Sequence, residues 1–94
     1  MRAKKPPRTV SAFKGAVIAA VKAIEPGNTL SYREVAKAAG YASSFRAVAR
    51  LMSQNFDETI PCHRVIYSSG KLGHYNRGGE AVKRKRLESE GWTE

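Results

Sequence analysis

A cysteine and a histidine stand side by side at positions 62 and 63, and this pair is the most reactive feature of the sequence. Cys62 is the only cysteine of the chain, and His63 is one of two histidines. The thiolate is the nucleophilic form of cysteine, and a nearby imidazole or positive charge stabilises it. Neighbouring side chains of an extended strand point to opposite faces, so the pair needs a bridging water or a bend, for which Pro61 is suited. The alternative is that Cys62 is a small buried apolar residue.

Apolar residues at helical spacing predict a first amphipathic helix from Val10 to Ile24. Thr9 or Ser11 is expected to cap its start, and the pair at positions 26–27, Pro-Gly, ends it.

The next two predicted helices lie close together in the chain. Ser31 and Glu34 form the pattern of a capping box, which starts the second helix, and Gly40 ends it. The third helix is predicted from Ser44 to about Gln54. The short connection between the two helices is typical of a helix-turn-helix motif.

The pattern changes after Asn55. Residues 60–67 are rich in β-branched side chains, residues 68–70 have turn chemistry, and residues 71–75 are predicted to return as a second short strand of a small wing. A last helix is predicted over residues 80–90, with Trp92 packing back onto the core. We therefore expect a flexible basic tail at residues 1–8 and one α+β, winged-helix-like domain at residues 9–94, with a helix-turn-helix and a short β wing.

The charge balance points to an anionic partner. The chain has 17 basic and 8 acidic residues, a net charge of +9, which favours nucleic acid as the partner. The basic run at 83–86 is expected to be a solvated face, or to lie near phosphates. The longest apolar run, residues 16–21, is too short to span a membrane. A single cysteine excludes an intramolecular disulfide and a thiolate metal cage, and a free thiol is typical of the cytoplasm.

The segment from Ile60 to Ile66, Ile-Pro-Cys-His-Arg-Val-Ile, resembles at every position the active-site signature of the O6-alkylguanine-DNA alkyltransferases. The resemblance covers about residues 10–92. Its further blocks are Thr29-Leu30-Ser31-Tyr32, Arg46-Ala47-Val48, Asn55, the stretch from Ser69-Gly70 to Tyr75, and Glu90-Gly91.

The resemblance implies a set of catalytic roles. Cys62 would accept the alkyl group from O6 of a damaged guanine, and His63 would take the thiol proton through a water. Glu90 would orient the imidazole, and Tyr32 would donate a hydrogen bond to guanine N3 as charge develops on the leaving base. Without the resemblance, Tyr32 would be expected to be a packing residue and Glu90 an exposed one.

The resemblance also implies how DNA is bound. Arg46, otherwise expected to be a solvated surface charge, would enter the space left by the extruded nucleotide, and Asn55 would hold the turn after the third helix. The implied DNA contacts are Ser31, Tyr32, Arg46, Ala47 and Arg50, and the implied pocket residues are Met52, Asn55, Val65, Gly73, Tyr75 and the main chain near Asn76. The partner would be duplex DNA containing O6-alkylguanine, bound through the minor groove by a monomer without cofactor or metal.

The sequence departs from the family pattern at several points. Ala49 and Arg50 occupy positions where the family usually has glycines, the loop after Asn55 is one residue shorter, and one extra residue lies around Arg77. Before Thr29 the sequence has room for only the single predicted helix, so we expect no counterpart of the additional N-terminal domain that is typical of the family. In this it resembles the alkyltransferase-like proteins, which bind alkylated guanine without repairing it and replace the cysteine. Because Cys62 is present, we expect active transfer, with lesion binding alone or an ordinary winged-helix regulator as the alternatives.

Overall fold

A computed structural model describes residues 9–73, 75 and 77–93. The basic tail expected at residues 1–8 and the contact expected near Asn76 lie outside these residues. The helices are α1 (Val10–Lys22), α2 (Tyr32–Ala38), α3 (Phe45–Ser53) and α4 (Gly79–Ser89), and the strands are β1 (Leu30–Ser31) and β2 (Val65–Ile66). None of the described helices is long and apolar enough to cross a membrane.

Both predicted helix starts in the first third of the chain have side-chain caps. Thr9, and not Ser11, caps α1 by accepting a hydrogen bond from the main-chain N–H of Ala12 at 3.2 Å. The capping box is complete: the Ser31 hydroxyl accepts from the N–H of Glu34 at 3.0 Å, and the Glu34 carboxylate accepts from the N–H of Ser31 at 2.8 Å. These bonds satisfy main-chain donors that a helix start leaves free.

Helices α2 and α3 form the expected helix-turn-helix pair. Val35 and Ala36 of α2 and Val48 of α3 are completely buried, and they join Val17 and Val21 of α1 in one core. The opposite face of α3 is exposed. The core therefore fixes α3 with one side free to meet a partner.

The sheet differs from the expected wing. β1 and β2 pair in parallel, Leu30 with Val65 and Ser31 with Ile66, across the connection formed by α2 and α3. No strand occurs in the described part of residues 71–75, so the predicted second strand of the wing is wrong. The turn itself is present: the N–H of Tyr67 donates to Lys71 O, and the N–H of Gly70 donates to Tyr67 O, both at 2.9 Å.

The predicted long strand at residues 60–67 is interrupted by a 3₁₀ turn over Cys62–Arg64, which leaves only Val65–Ile66 extended. The turn follows Pro61, whose lack of an N–H and fixed φ disfavour a continuous ladder. The α+β class is confirmed, whereas the length and pairing of its strands are not those that the sequence predicts.

Helix α4 buries a charged residue. Its buried residues are Lys83 and Leu87, four positions apart, so the expectation that the whole basic run 83–86 is solvated is wrong at Lys83. Trp92 is only partly buried, lies outside the core cluster, and has the Arg84 guanidinium 5.8 Å from its ring. Its predicted packing onto the core is therefore wrong.

Candidate active site

The 3₁₀ turn places Cys62 in the wall of a small cavity. The residue is 4% exposed, and its N–H donates to Ile60 O at 2.8 Å, which bends the chain away from a strand. The cavity has a volume of about 70 Å³. Its lining residues are Tyr32, Ala49, Met52, Ser53, Cys62, Tyr67, Tyr75 and Lys83.

His63 points to the C-terminal end of α4, where it meets Glu90. The Nε2 nitrogen of His63 lies 3.1 Å from Oε1 and 3.0 Å from Oε2 of Glu90. Arg64 holds the same carboxylate: its Nε donates to Oε1 at 3.1 Å and its Nη2 to Oε2 at 2.6 Å. A third bond, from Arg64 Nη1 to Ile24 O at 2.9 Å, ties this arrangement to the end of α1. The two-pronged guanidinium–carboxylate contact fixes the orientation of Glu90.

The contact with Glu90 defines the protonation pattern of His63. A carboxylate only accepts hydrogen bonds, so Nε2 of His63 carries the hydrogen, and Nδ1 holds the free lone pair of the neutral ring. Nδ1 is buried and has no hydrogen-bond partner among the residues described. Burial is the main cause that lowers the pKa of His63. Glu90 acts in the opposite direction, and the charge of Arg64 lowers the pKa further. The imidazole is therefore neutral near pH 7 and has one nitrogen able to accept a proton.

Glu90 is ionised under the same conditions. The hydrogen bonds from Arg64 are the main cause of its lowered pKa; burial opposes them, and the bond from His63 adds to the lowering. Arg64 is part of the signature segment, but the sequence analysis assigned it no role. Its position directly after His63 in the sequence was the signal that could have indicated a role at the site.

Tyr32 is one of the residues that line the cavity. Burial, followed by the electrostatic influence of Tyr67 and Cys62, raises the pKa of Tyr32 to about 12. Its phenol therefore keeps its proton and can donate a hydrogen bond at neutral pH. The rings of Tyr32 and Tyr67 are 5.2 Å apart, so Tyr67 forms an additional wall that the sequence analysis did not predict.

The sequence analysis also missed two cations near Cys62. Lys83 donates from Nζ to Leu72 O at 2.6 Å, and burial lowers its pKa to about 8. Arg77 donates from Nη2 to Sγ of Cys62 at 3.4 Å. The four-residue spacing of Lys83 and Leu87 could have indicated that Lys83 is buried. For Arg77, the only signal was the extra residue in this part of the sequence.

The other residues predicted for the pocket have different positions. Met52 and Tyr75 line the cavity, whereas Val65 belongs to the core and Gly73 packs against the Tyr67 ring. Asn55 holds the turn after α3, since its Oδ1 accepts from Asp57 N at 3.1 Å and its Nδ2 donates to Asp57 O at 3.3 Å. Val65, Gly73 and Asn55 are therefore not among the residues that line this cavity, and their contact with the base stays a prediction.

The predicted DNA-contact residues divide into two groups. Arg46, Ala47 and Arg50 are exposed on α3. Ser31 is buried, and its hydroxyl is used in the capping box, so a DNA contact through this side chain is not supported. Tyr32 is buried as well and faces the cavity. The exposed arginines thus lie on a helix whose opposite face is fixed in the core.

The comparison with known families agrees with this arrangement of helix-turn-helix, thiol and cavity. Residues 12–92 match the model of the 6-O-methylguanine DNA methyltransferase, DNA binding domain. The match covers most of the chain, and the chain therefore belongs to this family.

Individual relatives show the same similarity over part of their length. The chain is 44% identical over 72 residues to methylated-DNA–protein-cysteine methyltransferase of Mus musculus, which is 76% of this chain and 34% of the relative. It is 45% identical over 80 residues to the protein of the same name from Methanothermobacter thermautotrophicus, covering 84% and 44%. The chain thus spans about a third to a half of these relatives.

Two solved structures are similar in fold. A crystal structure of Mycobacterium tuberculosis OGT in complex with DNA has a TM-score of 0.77 at 42% identity, covering 83% of this chain and 48% of that one. A crystal structure of S. pombe Atl1 in complex with damaged DNA containing O6-carboxymethylguanine has a TM-score of 0.79 at 35% identity, covering 88% and 79%.

Proposed function

We propose that this protein repairs DNA by transferring the alkyl group of O6-alkylguanine to Cys62. The observation that carries the proposal is the position of the Cys62 thiol at a cavity, with the neutral His63 next to it in the chain and held by Glu90. Family membership and the names of the relatives support the same reaction.

The transfer is a nucleophilic displacement at the alkyl carbon. The thiol proton of Cys62 passes through a water to Nδ1 of His63, which has no other partner among the described residues. The sulfur then forms a bond to the alkyl carbon while the bond from that carbon to guanine O6 breaks. The electron pair of the broken bond remains on the guanine, which takes up a proton to become neutral. The thioether is stable, so each molecule reacts once.

Tyr32 assists the departure of the base. Its phenol stays protonated to about pH 12, so it can donate a hydrogen bond to guanine N3 as negative charge develops. Such a donor stabilises the transition state more than the ground state, because the charge on the base grows during the reaction.

The target base must leave the duplex to reach the sulfur. Extrusion of a nucleotide costs a few kcal/mol, and the cost is lower for a base whose pairing is already disturbed, as it is by an alkyl group on O6. We assign the contact with the minor groove to α3, where Arg46 would fill the vacated space and Ala47 and Arg50 would lie near the backbone. The DNA complexes of the OGT and Atl1 relatives support this partner.

Lesion binding without transfer is the second candidate. The observation in its favour is the similarity in fold to Atl1 in its complex with damaged DNA, with a TM-score of 0.79 over 88% of this chain. In this case, the cavity would hold the alkylated base while Cys62 remained unmodified.

An assay with defined duplexes separates the two candidates. The full chain is incubated with duplex containing O6-methylguanine or guanine, and the DNA is digested and its bases quantified by chromatography. Repair predicts loss of O6-methylguanine in proportion to the protein added, with no loss in Cys62→Ser. Tight binding of the lesion duplex with no change in its base composition would reject transfer.

A further inference from the structure

Arg77 lies against the thiol that the proposed function uses. Its Nη2 donates to Sγ of Cys62 at 3.4 Å, and its guanidinium carbon is 5.3 Å from the centre of the Tyr75 ring. A guanidinium keeps its positive charge at all physiological pH values. The contact therefore brings a permanent cation to the only sulfur nucleophile of the chain.

Among the described residues, the guanidinium of Arg77 forms a hydrogen bond only with this sulfur. Its Nε and Nη1 are buried and make no hydrogen bond to a described residue, and it forms no ion pair with a described carboxylate. Charged donor atoms that are shielded from water and lack a partner are costly unless a negative charge lies beside them. A thiolate at Sγ supplies that charge, whereas a neutral thiol does not.

We infer that Arg77 is a positioning residue which stabilises the thiolate form of Cys62 through a direct charge-assisted hydrogen bond. This inference rests on the proposed function, in which the thiolate is the reacting form. Arg77 lies where this chain has one residue more than the alkyltransferase pattern. The contact between Arg77 and the sulfur is therefore a property of this chain. It acts together with His63, which receives the proton.

The electrostatics of Arg77 fit this role. Burial alone would lower the pKa of Arg77, but the hydrogen bond and the attraction to Cys62, together with the attraction to Tyr75 and Glu58, outweigh burial and raise it. Arg77 also favours ionisation of Tyr75, although burial is stronger and leaves the pKa of that phenol raised. The Tyr75 hydroxyl makes no hydrogen bond of acceptable geometry within the described residues, so the sulfur is the better-aligned acceptor for Arg77.

Other groups also contribute to the electrostatic environment of Cys62. Lys83 of α4 is the second cation, and it already donates to Leu72 O. Tyr32 and Tyr75 are neutral at pH 7 because burial raises the pKa of each. Glu58 attracts Arg77 from the loop after α3. Of these cations, Arg77 is the one that hydrogen-bonds to the sulfur.

The test is the ionisation of the thiol itself, which requires no DNA. The ultraviolet absorbance of the thiolate is followed against pH in the full chain, with the same titration of Cys62→Ala subtracted to remove the tyrosine signal. Arg77→Gln keeps hydrogen-bond donors but removes the charge, and we expect it to raise the midpoint by about one pH unit. Arg77→Lys keeps the charge and should restore most of the shift.

A matched control separates this effect from a general loss of positive charge. Arg33 is exposed on α2 and stacks on Phe45, 4.0 Å from its ring, so Arg33→Gln removes an equal charge elsewhere and should leave the midpoint unchanged. An unchanged midpoint in Arg77→Gln would overturn the inference, and so would an equal shift in both variants.

Methyl transfer from an O6-methylguanine duplex is measured in parallel at pH 7. We expect Arg77→Gln to transfer more slowly by about tenfold, with unchanged affinity for the duplex. Faster transfer would mean that Arg77 only obstructs the cavity and would overturn the inference. If the midpoint shifts but the wild-type chain transfers no methyl group, the inference on Arg77 holds and the proposed function fails.

Discussion

His63 and Glu90 are 27 residues apart in the chain, yet Nε2 of His63 lies 3.0 Å from Oε2 of Glu90. The carboxylate fixes the ring with its hydrogen on Nε2 and its lone pair on Nδ1. This contact links the 3₁₀ turn that holds Cys62 to the end of α4. The proposed reaction depends on it, because a freely rotating imidazole would present the correct nitrogen only part of the time.

Replacement of Glu90 by Gln tests this contact. The amide cannot balance the charge of Arg64, and it can offer an N–H to His63 in place of an acceptor. We expect the free energy of unfolding to fall by about 2 kcal/mol and methyl transfer to slow by roughly tenfold or more. Urea unfolding and single-turnover transfer kinetics measure the two effects.

Glu88→Gln is the matched control, since Glu88 is exposed at the same end of α4. It should leave both quantities close to those of the wild-type chain. Equal effects of the two variants would show that the carboxylate of Glu90 has no special role.

The stability should depend on pH through His63 and Glu90. The pKa of His63 is lowered from 6.5 by burial, so between pH 6.5 and its folded value the unfolded chain binds the proton more readily. Stability is therefore complete above pH 6.5 and falls as the pH drops below it. The pKa of Glu90 is lowered from 4.5, chiefly by Arg64, which adds a further loss below pH 4.5.

Urea midpoints between pH 8 and pH 4 measure this dependence. We expect a decline that begins near pH 6.5 in the wild-type chain, and a weaker decline between pH 6.5 and pH 5 in His63→Asn. A midpoint that rises on acidification through this range would contradict the assignment of His63 as a neutral buried ring.

Gly27 positions the end of α4 by allowing a close approach. Its φ is +89°, and a Cβ built there would lie 2.9 Å from the main-chain oxygen of Glu90. Gly27→Ala is expected to lower the free energy of unfolding by about 2 kcal/mol, because both the backbone conformation and the contact become unfavourable. Thermal or urea unfolding provides the measurement.

Gly15 offers the matched substitution. It lies in α1, and a Cβ there would meet nothing within 4 Å. Gly15→Ala should stabilise the protein by about 0.5–1 kcal/mol, since alanine favours a helix interior over glycine. If Gly27→Ala were as well tolerated as Gly15→Ala, the close packing of Gly27 on Glu90 would be wrong.

Arg50 should contribute to DNA affinity through phosphate contact. It is exposed on α3, five residues after the start of the helix at Phe45, at a position where the family pattern expects glycine. We expect Arg50→Ala to weaken binding to lesion and normal duplexes alike, and to reduce the slope of log affinity against log salt by about one. Titrations at several salt concentrations measure the slope, and an unchanged slope would remove Arg50 from the interface.

Local signals predicted most of the helical framework. The capping box of Ser31 and Glu34 lies within four consecutive residues, so the start of α2 was predicted correctly from the sequence. The pairing of Leu30 with Val65 is not local, and no turn chemistry announces it, which explains why the strands were misassigned. Lys83 was hidden in a run of four basic residues, although its spacing from Leu87 matches the buried face of α4.

The candidate site was predictable to the extent that the signature segment defines it. Cys62 and His63 were identified from their residue types and their adjacency. Glu90 was assigned only through the resemblance, because no sequence spacing predicts a contact between residues that far apart in the chain. Arg77 could not be predicted, since its contact with Sγ of Cys62 depends on the path of the loop before α4.

The most direct test is to locate the transferred group within the protein. The full chain is reacted with a duplex containing O6-methylguanine, digested with a protease, and its peptides are sequenced by mass spectrometry. We predict one added methyl group on the Cys62 sulfur, in an amount equal to the lesion lost, and none in Cys62→Ala. An unmodified Cys62 peptide after complete binding of the lesion, or a methyl group on any other residue, would contradict the proposed reaction.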